Sequence, residues 1–285
     1  MRTGLLTTLL FILTFGIISA QETKSSATLF SKNPEQLYLG AVLSKKSINT
    51  EKHEFKDIKT KEKIFLLSTT FKYEFPEIVP TKENMYQVIA DELKSKGAPT
   101  SSGIASYSFY PIRNLEDLYA NFGQKMDLGK WFGLDINNKM PVSNILIAYE
   151  IPLFDLYLDI AETGMMNYRE ELAKLKDDDL IYVMSITWGR KALIFVQSDF
   201  DENSLKVALN RYLNDEELTD EQKVILETAT FSYNIFEDVP LELENTNPIK
   251  TVLNYLSAPI TADNYGAIIH FMADEIDGST YNNNF

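Results

Sequence analysis

Few side chains in this sequence stand in patterns that do chemistry at neutral pH. Its 285 residues hold two histidines, His53 and His270, and no cysteine. That removes thiol nucleophiles, disulfides and cysteine-ligated metals. His53-Glu54 does not continue into the two-histidine helix of a zinc peptidase. His270 stands among Ile268, Ile269 and Phe271, the setting of a packed strand histidine. No G-x-S-x-G elbow, P-loop or G-x-G-x-x-G run occurs. Carboxylates are plentiful and form runs, Asp177-Asp178-Asp179 and Asp215-Glu216-Glu217. Glycoside hydrolysis needs two of them facing each other across a cleft, and a calcium loop needs D-x-[DN]-x-[DN]-G spacing, which neither run has. Solvated loops are the simpler reading. The residues point to no catalytic set, no cofactor and no metal; a secreted hydrolase with scattered carboxylates stays as a rival.

The charge balance narrows the partners. A net charge of −14 repels nucleic-acid phosphates and anionic headgroups. Nucleic acid is not an expected partner, and membrane contact needs a receptor, a partner protein or apolar insertion. Residues 1–20 read as a signal peptide: Arg2, an apolar run from Gly4 to Ile18, then Ser19-Ala20 before Gln21. Localisation is therefore expected to be secreted.

With 45% hydrophobic and 12% aromatic residues, the remainder can build a core. A flexible leader is expected over 21–33, one domain over 34–276 and a polar tail over 277–285. Pro80-Thr81 opens a helix carrying Met85, Ile89 and Leu93, stopped at Gly97-Ala98-Pro99. Asn114 can cap another, with Leu115, Leu118, Tyr119 and Phe122 on one face. Thr219 and Gln222 make a capping-box pattern, and Pro248 suits the first turn of a helix through Leu256. Strands are expected over 64–75, 107–110, 144–160, 231–236 and 267–272. Two more, 181–187 and 191–197, form a pair around Trp188-Gly189-Arg190. The class is α+β with a long, mainly antiparallel sheet.

Two windows read equally as helix or amphipathic strand. In 152–180, Phe154, Leu156, Leu158 and Ile160 alternate with Asp155, Tyr157 and Asp159. Beyond them Met165, Tyr168, Leu172 and Leu175 fall at helical spacing. In 201–230, Leu205, Val207, Leu209 and Leu213 alternate with Lys206, Asn210, Tyr212 and Asn214, while Leu205, Ala208, Leu209 and Tyr212 would share a helix face. Alternation is what a transmembrane β-hairpin needs, and also what any half-buried strand shows.

Four segments, in order, resemble the cholesterol-dependent (thiol-activated) cytolysins of the membrane-attack-complex/perforin superfamily. Leu37-Tyr38-Leu39-Gly40-Ala41 is similar to the family's Tyr-Pro-Gly-Ala-Leu segment. Ile147-Ala148-Tyr149-Glu150-Ile151 resembles a strand with an Ala-Tyr step. Ile186-Thr187-Trp188-Gly189-Arg190 is similar to a Tyr-Gly-Arg strand end, and Ile225 to Phe231 to an Ile-Leu-Glu-Asn-x-x-Phe segment.

The resemblance implies a bent, twisted central sheet flanked by two helical clusters that become transmembrane hairpins when copies assemble into a ring. The hairpin residues would be Phe154, Leu156, Leu158, Ile160, Leu205, Val207, Leu209 and Leu213. Tyr149 and Phe231 match the family's register-setting aromatics, or are plain core aromatics; Gly189, between Trp188 and Arg190, matches the sheet-bend glycine. Glu237-Asp238 stand where the family has Gly-Gly, and the C-terminal cholesterol-binding domain is missing. The likeness is therefore to short cytolysin-like members, which implies a longer paralogue, an activating protease and membrane insertion after assembly. The alternative is a non-lytic binding or structural protein on the same scaffold.

Overall fold

The structure, a computed structural model, describes residues 25–26, 28–30, 33–50, 52–71, 74–97, 106–114, 117, 132, 141–159, 163–236, 248–259, 261 and 264–284. In chain order the strands are β1 (Ser25–Ser26), β2 (Leu29–Phe30), β3 (Val42–Ser44), β4 (Phe55–Lys56), β5 (Leu66–Leu67), β6 (Ser106–Pro111), β7 (Ser143–Leu158), β8 (Leu180–Ser198), β9 (Thr230–Phe236), β10 (Ala267–Glu275) and β11 (Asn283–Asn284). The helices are α1 (Lys82–Lys96), α2 (Thr163–Ala173), α3 (Glu202–Leu213), α4 (Asp220–Thr228) and α5 (Pro248–Ser257).

β8 is the spine. It is nearly continuously buried, as a strand covered on both faces must be. One edge pairs with β3 and then β7; the other pairs with β10 as far as Gly189 and with β9 from Lys191 onward. β5 and β6 pair with β7, β4 with β3, and β2 with β10. All these pairings are antiparallel, so the sequence-derived class holds.

The strand pair expected around Trp188-Gly189-Arg190 is instead one continuous strand that bends. Both neighbours slip register beside Gly189, β7 between Pro152 and Phe154, β10 between Ile268 and His270. Bulges of this kind bend a sheet without ending it. A Cβ on Gly189 would lie 2.4 Å from the Ile151 carbonyl oxygen, so only glycine fits where the neighbours close in.

The bend splits the core. On the Leu180 side, the proximal end, Trp188 stacks on Phe154 at 5.0 Å, with Met85, Ile89 and Leu93 of α1 and Met165, Tyr168 and Leu172 of α2 packed into the same cluster. Thr81 caps α1 by accepting from the Asn84 N–H. On the Ser198 side, the distal end, β6, β7, β8 and β9 form a four-stranded sheet. One face is covered by α3, α4 and α5; the other carries Leu146, Leu193 and Phe195 against Ile112 and Phe132.

Three expectations change. Among the described residues of 64–75, Leu66–Leu67 alone form a strand. The leader and tail, where described, are tied down: β1 pairs with β11, and β2 lies along β10 with Leu29 buried. The unpaired edge of β10 needs partners for its backbone groups, and the leader supplies them. Asn283 of the tail exchanges two amide hydrogen bonds with Asn49, at 2.9 and 3.1 Å. Finally, Phe154, Leu156 and Leu158 are already strand, buried on the proximal side of the bend. The alternation in 152–158 is the pleat of a core strand, and the helical part of this window is α2, where Met165, Tyr168 and Leu172 keep the expected spacing. Ile160, Glu237, Asp238 and residues 1–20 lie outside the described residues. No helix among the described residues is long and apolar enough to cross a membrane.

Candidate functional site

Two connections leave the four-stranded sheet at its distal end. Residues 112–142 join β6 to β7, and 199–229 join β8 to β9. They contain the same number of residues. The link from β7 to β8, through α2, lies at the opposite end.

The second connection is described throughout. Asp201 caps α3, accepting from the Asn203 and Ser204 N–H groups. Leu205, Ala208 and Leu209 are buried on Ile145, Ile147, Ile194 and Val196. A complete Thr219–Gln222 capping box starts α4, whose Ile225 enters the same cluster. Burial of Leu205, Leu209 and Ile225 contributes about 1.5–3 kcal/mol each. Tyr107 of β6 donates to the Asn210 side chain at 2.9 Å, and Lys206 pairs with Glu202 at 3.0 Å.

The pleat shows what this segment becomes if drawn out. β8 and β9 pair without a slip from Lys191↔Phe236 to Gln197↔Thr230. Continued past Ser198, that register sets Leu205 opposite Gln222, Val207 opposite Asp220 and Leu209 opposite Leu218, reversing between Leu213 and Asn214. The chain already reverses there, between α3 and α4, with Asp215 at φ 55°. In this extension Leu205, Val207, Leu209, Leu213, Leu218, Val224 and Leu226 fall on the face of Leu193 and Phe195, interrupted there by Arg211, Glu216, Asp220 and Gln222. Ser204, Lys206, Asn210, Glu217, Thr219, Glu221 and Lys223 fall on the other.

For the first connection only 112–114, 117, 132 and 141–142 are described. Its sequence, carried on the Ser106↔Glu150 to Pro111↔Ile145 register, reverses at Leu128 beside Gly129. Ile112, Leu118, Phe122, Met126, Phe132, Leu134, Ile136, Met140 and Val142 take the face of Leu146. Asp117, Asn121, Lys125, Asp135, Asn137 and Lys139 take the other. Both connections thus turn their apolar stripes to one face of the sheet. Sequence reading missed this first stripe, which Asn114, Glu116, Gln124, Lys130 and Asn138 interrupt; Leu115, Leu118, Tyr119 and Phe122 read there as a helix face.

Tyr149 takes the core-aromatic position of its two readings in this fold. It lies in β7 between β6 and β8, 3% exposed, against Tyr107 at 5.4 Å. A side chain there cannot meet another subunit while both flanking strands stay in place. Among the described residues β9 and β6 are the two outer strands of this sheet; Phe231 is on β9, half-buried, and β6 carries Tyr107 and Phe109 on the same face.

Two polar clusters at the bend were not foreseen. Arg190, 1% exposed, donates to the carbonyls of Leu256 (3.1 Å), Ala258 and Pro259 (3.0 Å), holding the C-terminal end of α5. Tyr255 of α5 donates to the Phe236 carbonyl at 2.7 Å, so α5 is tied to both the bend and β9. Beside them Glu150 pairs with buried Lys191 at 3.2 Å and with His270. Their partners lie on three strands, which local sequence cannot reveal. Burial raises the Glu150 carboxyl, but the His270 hydrogen bond and the Lys191 ammonium outweigh it and hold it at about 2. A depressed carboxyl stabilises the fold above its unfolded value, about 4.3, and that gain is lost as pH falls through about 2. Glu150→Gln should therefore cost about 1–3 kcal/mol at pH 7, with the deficit shrinking between about pH 4 and 2 in urea melts. A deficit unchanged down to pH 2 would rule this out.

Among the described residues no group of three or more acidic, histidine or cysteine side chains could hold a metal. No protein-family model and no curated protein sequence matches the chain. Solved structures do. Pneumolysin matches with a TM-score of 0.70 at 14% identity, covering 92% of this chain and 62% of that one. Suilysin from Streptococcus suis, described as a cytotoxin, matches at 0.68 and 14%, covering 92% and 62%. A pneumolysin from Streptococcus pneumoniae described as non-hemolytic matches at 0.70 and 12%, covering 91% and 61%. The chain has the fold of the cholesterol-dependent cytolysins. It spans about 62% of the length of the first of these relatives.

Proposed function

We propose that this chain is a secreted, non-enzymatic subunit of a pore-forming assembly. Copies join edge to edge, β6 of one beside β9 of the next, and the two distal connections open into amphipathic hairpins that complete a transmembrane β-barrel. The observation that carries this reading is the agreement of the two connections: equal in length, leaving one end, with apolar stripes on one face. Closed barrels need that sorting of lipid-facing from water-facing side chains. The match of the β8–β9 register to the existing α3–α4 turn supports it further, since conversion then requires no strand slip.

A net charge of −14 gives the chain little attraction to anionic membranes. A longer paralogue that finds the membrane, and a protease acting on the leader along β10, complete the proposal. Pores should then appear in dye-release assays on lipid vesicles when the mature protein, limited proteolysis and the paralogue are combined. Silence under every combination would favour the second reading, a non-lytic protein on this scaffold, in keeping with the relative described as non-hemolytic.

Edge pairing also redefines the register-setting aromatics as Phe231 on β9 with Tyr107 or Phe109 on the neighbouring β6. Ring pairs of this kind contribute about 0.5–1.5 kcal/mol, repeated at each interface. Phe231→Ala should leave vesicle binding intact and stop insertion, read by flotation and dye release together. Unimpaired release would reduce Phe231 to ordinary packing.

A further inference from the structure

We infer that Lys206 and Glu221 exchange partners on assembly and become a cross-strand ion pair that locks the register of the second hairpin. The inference rests on the pore-forming reading and adds a positioning pair to it.

In the soluble fold, Lys206 sits on α3 and is held by Glu202 one turn earlier, 3.0 Å away. Glu221 is exposed in the first turn of α4, where a carboxylate complements the helix N-terminus. Both arrangements depend on helical spacing and vanish when the helices open, because residues four apart in a strand are separated by about 13 Å.

The unbroken β8–β9 register then dictates the new neighbours. Each paired step from Lys191↔Phe236 to Gln197↔Thr230 moves one residue along each strand. Nine further steps bring Lys206 directly opposite Glu221. Both fall on the water-facing side, opposite to Leu205, Val207 and Leu209. Directly opposed residues on adjacent antiparallel strands lie about 4.5–5.5 Å apart, close enough for a direct ion pair.

A slip of two residues would keep the faces sorted but set Lys206 opposite Thr219 or Lys223. The first leaves the charge unpaired and the second opposes two cations. The side-chain period alone does not exclude such slips. Lys206 and Glu221 therefore discriminate among registers that the apolar stripe tolerates. Arg211 also faces Glu216 in the same register, next to the turn and on the face of Leu209 and Leu213; the two already approach to 3.7 Å.

The absence of cysteine makes the test direct. Three double variants are prepared: Lys206→Cys with Glu221→Cys, with Thr219→Cys, or with Lys223→Cys. Each is assembled on phosphatidylcholine–cholesterol vesicles under the conditions that release dye, then oxidised, tagged with maleimide and weighed by mass spectrometry. The unassembled protein serves as baseline. Disulfides accept Cα separations of about 4.4–6.8 Å, so only the in-register pair should lose its two tags on assembly.

In parallel, Lys206→Glu and Glu221→Lys should each slow dye release by about fivefold, the equivalent of an opposed pair near 1 kcal/mol. The double charge swap should restore the rate, which loss of helix stability alone would not do. Circular dichroism checks that each variant folds. Preferential cross-linking of an offset pair, or no rescue by the swap, overturns the pairing while leaving pore formation standing. Dye release with no cross-link in any pair overturns the hairpin itself. No release from the unsubstituted protein under any condition removes both.

Discussion

Val207→Arg and Val224→Arg are each expected to leave the soluble protein folded and to abolish pore formation. The two valines are exposed in the soluble form, 43% and 48%, on the outer faces of α3 and α4. Substitutions at such positions change stability by about 0.5 kcal/mol or less. Extended along the β8–β9 register, both fall on the face of Leu205 and Leu209, Val207 near the middle of its arm opposite Asp220 and Val224 four residues nearer the sheet, opposite Asn203. Arginine there costs about 2–4 kcal/mol per subunit near the bilayer midplane, and a ring multiplies that cost by its number of copies. Asn210→Arg, on the water-facing side, is the control and should keep activity. Urea melts and dye release on the same preparations decide the matter. Native release from both valine variants would mean that these residues never meet lipid.

Gly189→Val should lower stability by about 3 kcal/mol or more, the scale of an overpacked core with a forced backbone shift. Its Cβ would sit 2.4 Å from the Ile151 carbonyl oxygen and 2.6 Å from Ile269 Cδ1. Neither neighbour moves freely, because each lies beside a bulge that makes the bend. Gly266→Ala probes the same contact from the other side: that residue has φ 81°, and its Cβ would lie 2.2 Å from the Gly189 carbonyl oxygen. Two variants that strain one contact should combine less than additively. The readout is the midpoint of urea unfolding at unchanged slope; an unmoved midpoint for Gly189→Val would show that the sheet relaxes around a side chain.

The candidate site was partly legible in the sequence. Leu205, Val207 and Leu209 were recognised as compatible with two conformations, and the helical reading of Leu205, Ala208 and Leu209 is the packing found in the soluble fold. The capping box at Thr219 and Gln222 marked where α4 starts. In the other window, alternation in 152–160 was read both as strand and as a convertible segment, and Phe154, Leu156 and Leu158 are strand in this fold. Period-two alternation reports only that one face of a strand is apolar. It cannot say whether that face meets a core or, after a transition, lipid.

What this sequence determined by itself is local. Caps, breaks and apolar periods act over a few residues, so α1, α3, α4 and α5 and the α+β class could be read without coordinates. What only the tertiary structure decided depends on which strands are neighbours. Pairing of β6 with β7 puts Tyr149 in the interior, so Tyr107 and Phe231 become the edge aromatics. Slips in β7 and β10 turn Gly189 from an apparent turn into a bend, and three strands bring Glu150, Lys191 and His270 together. Hydrogen-bond partners between strands are chosen by the whole sheet, because each strand's edge is satisfied only by another strand, however distant in the chain.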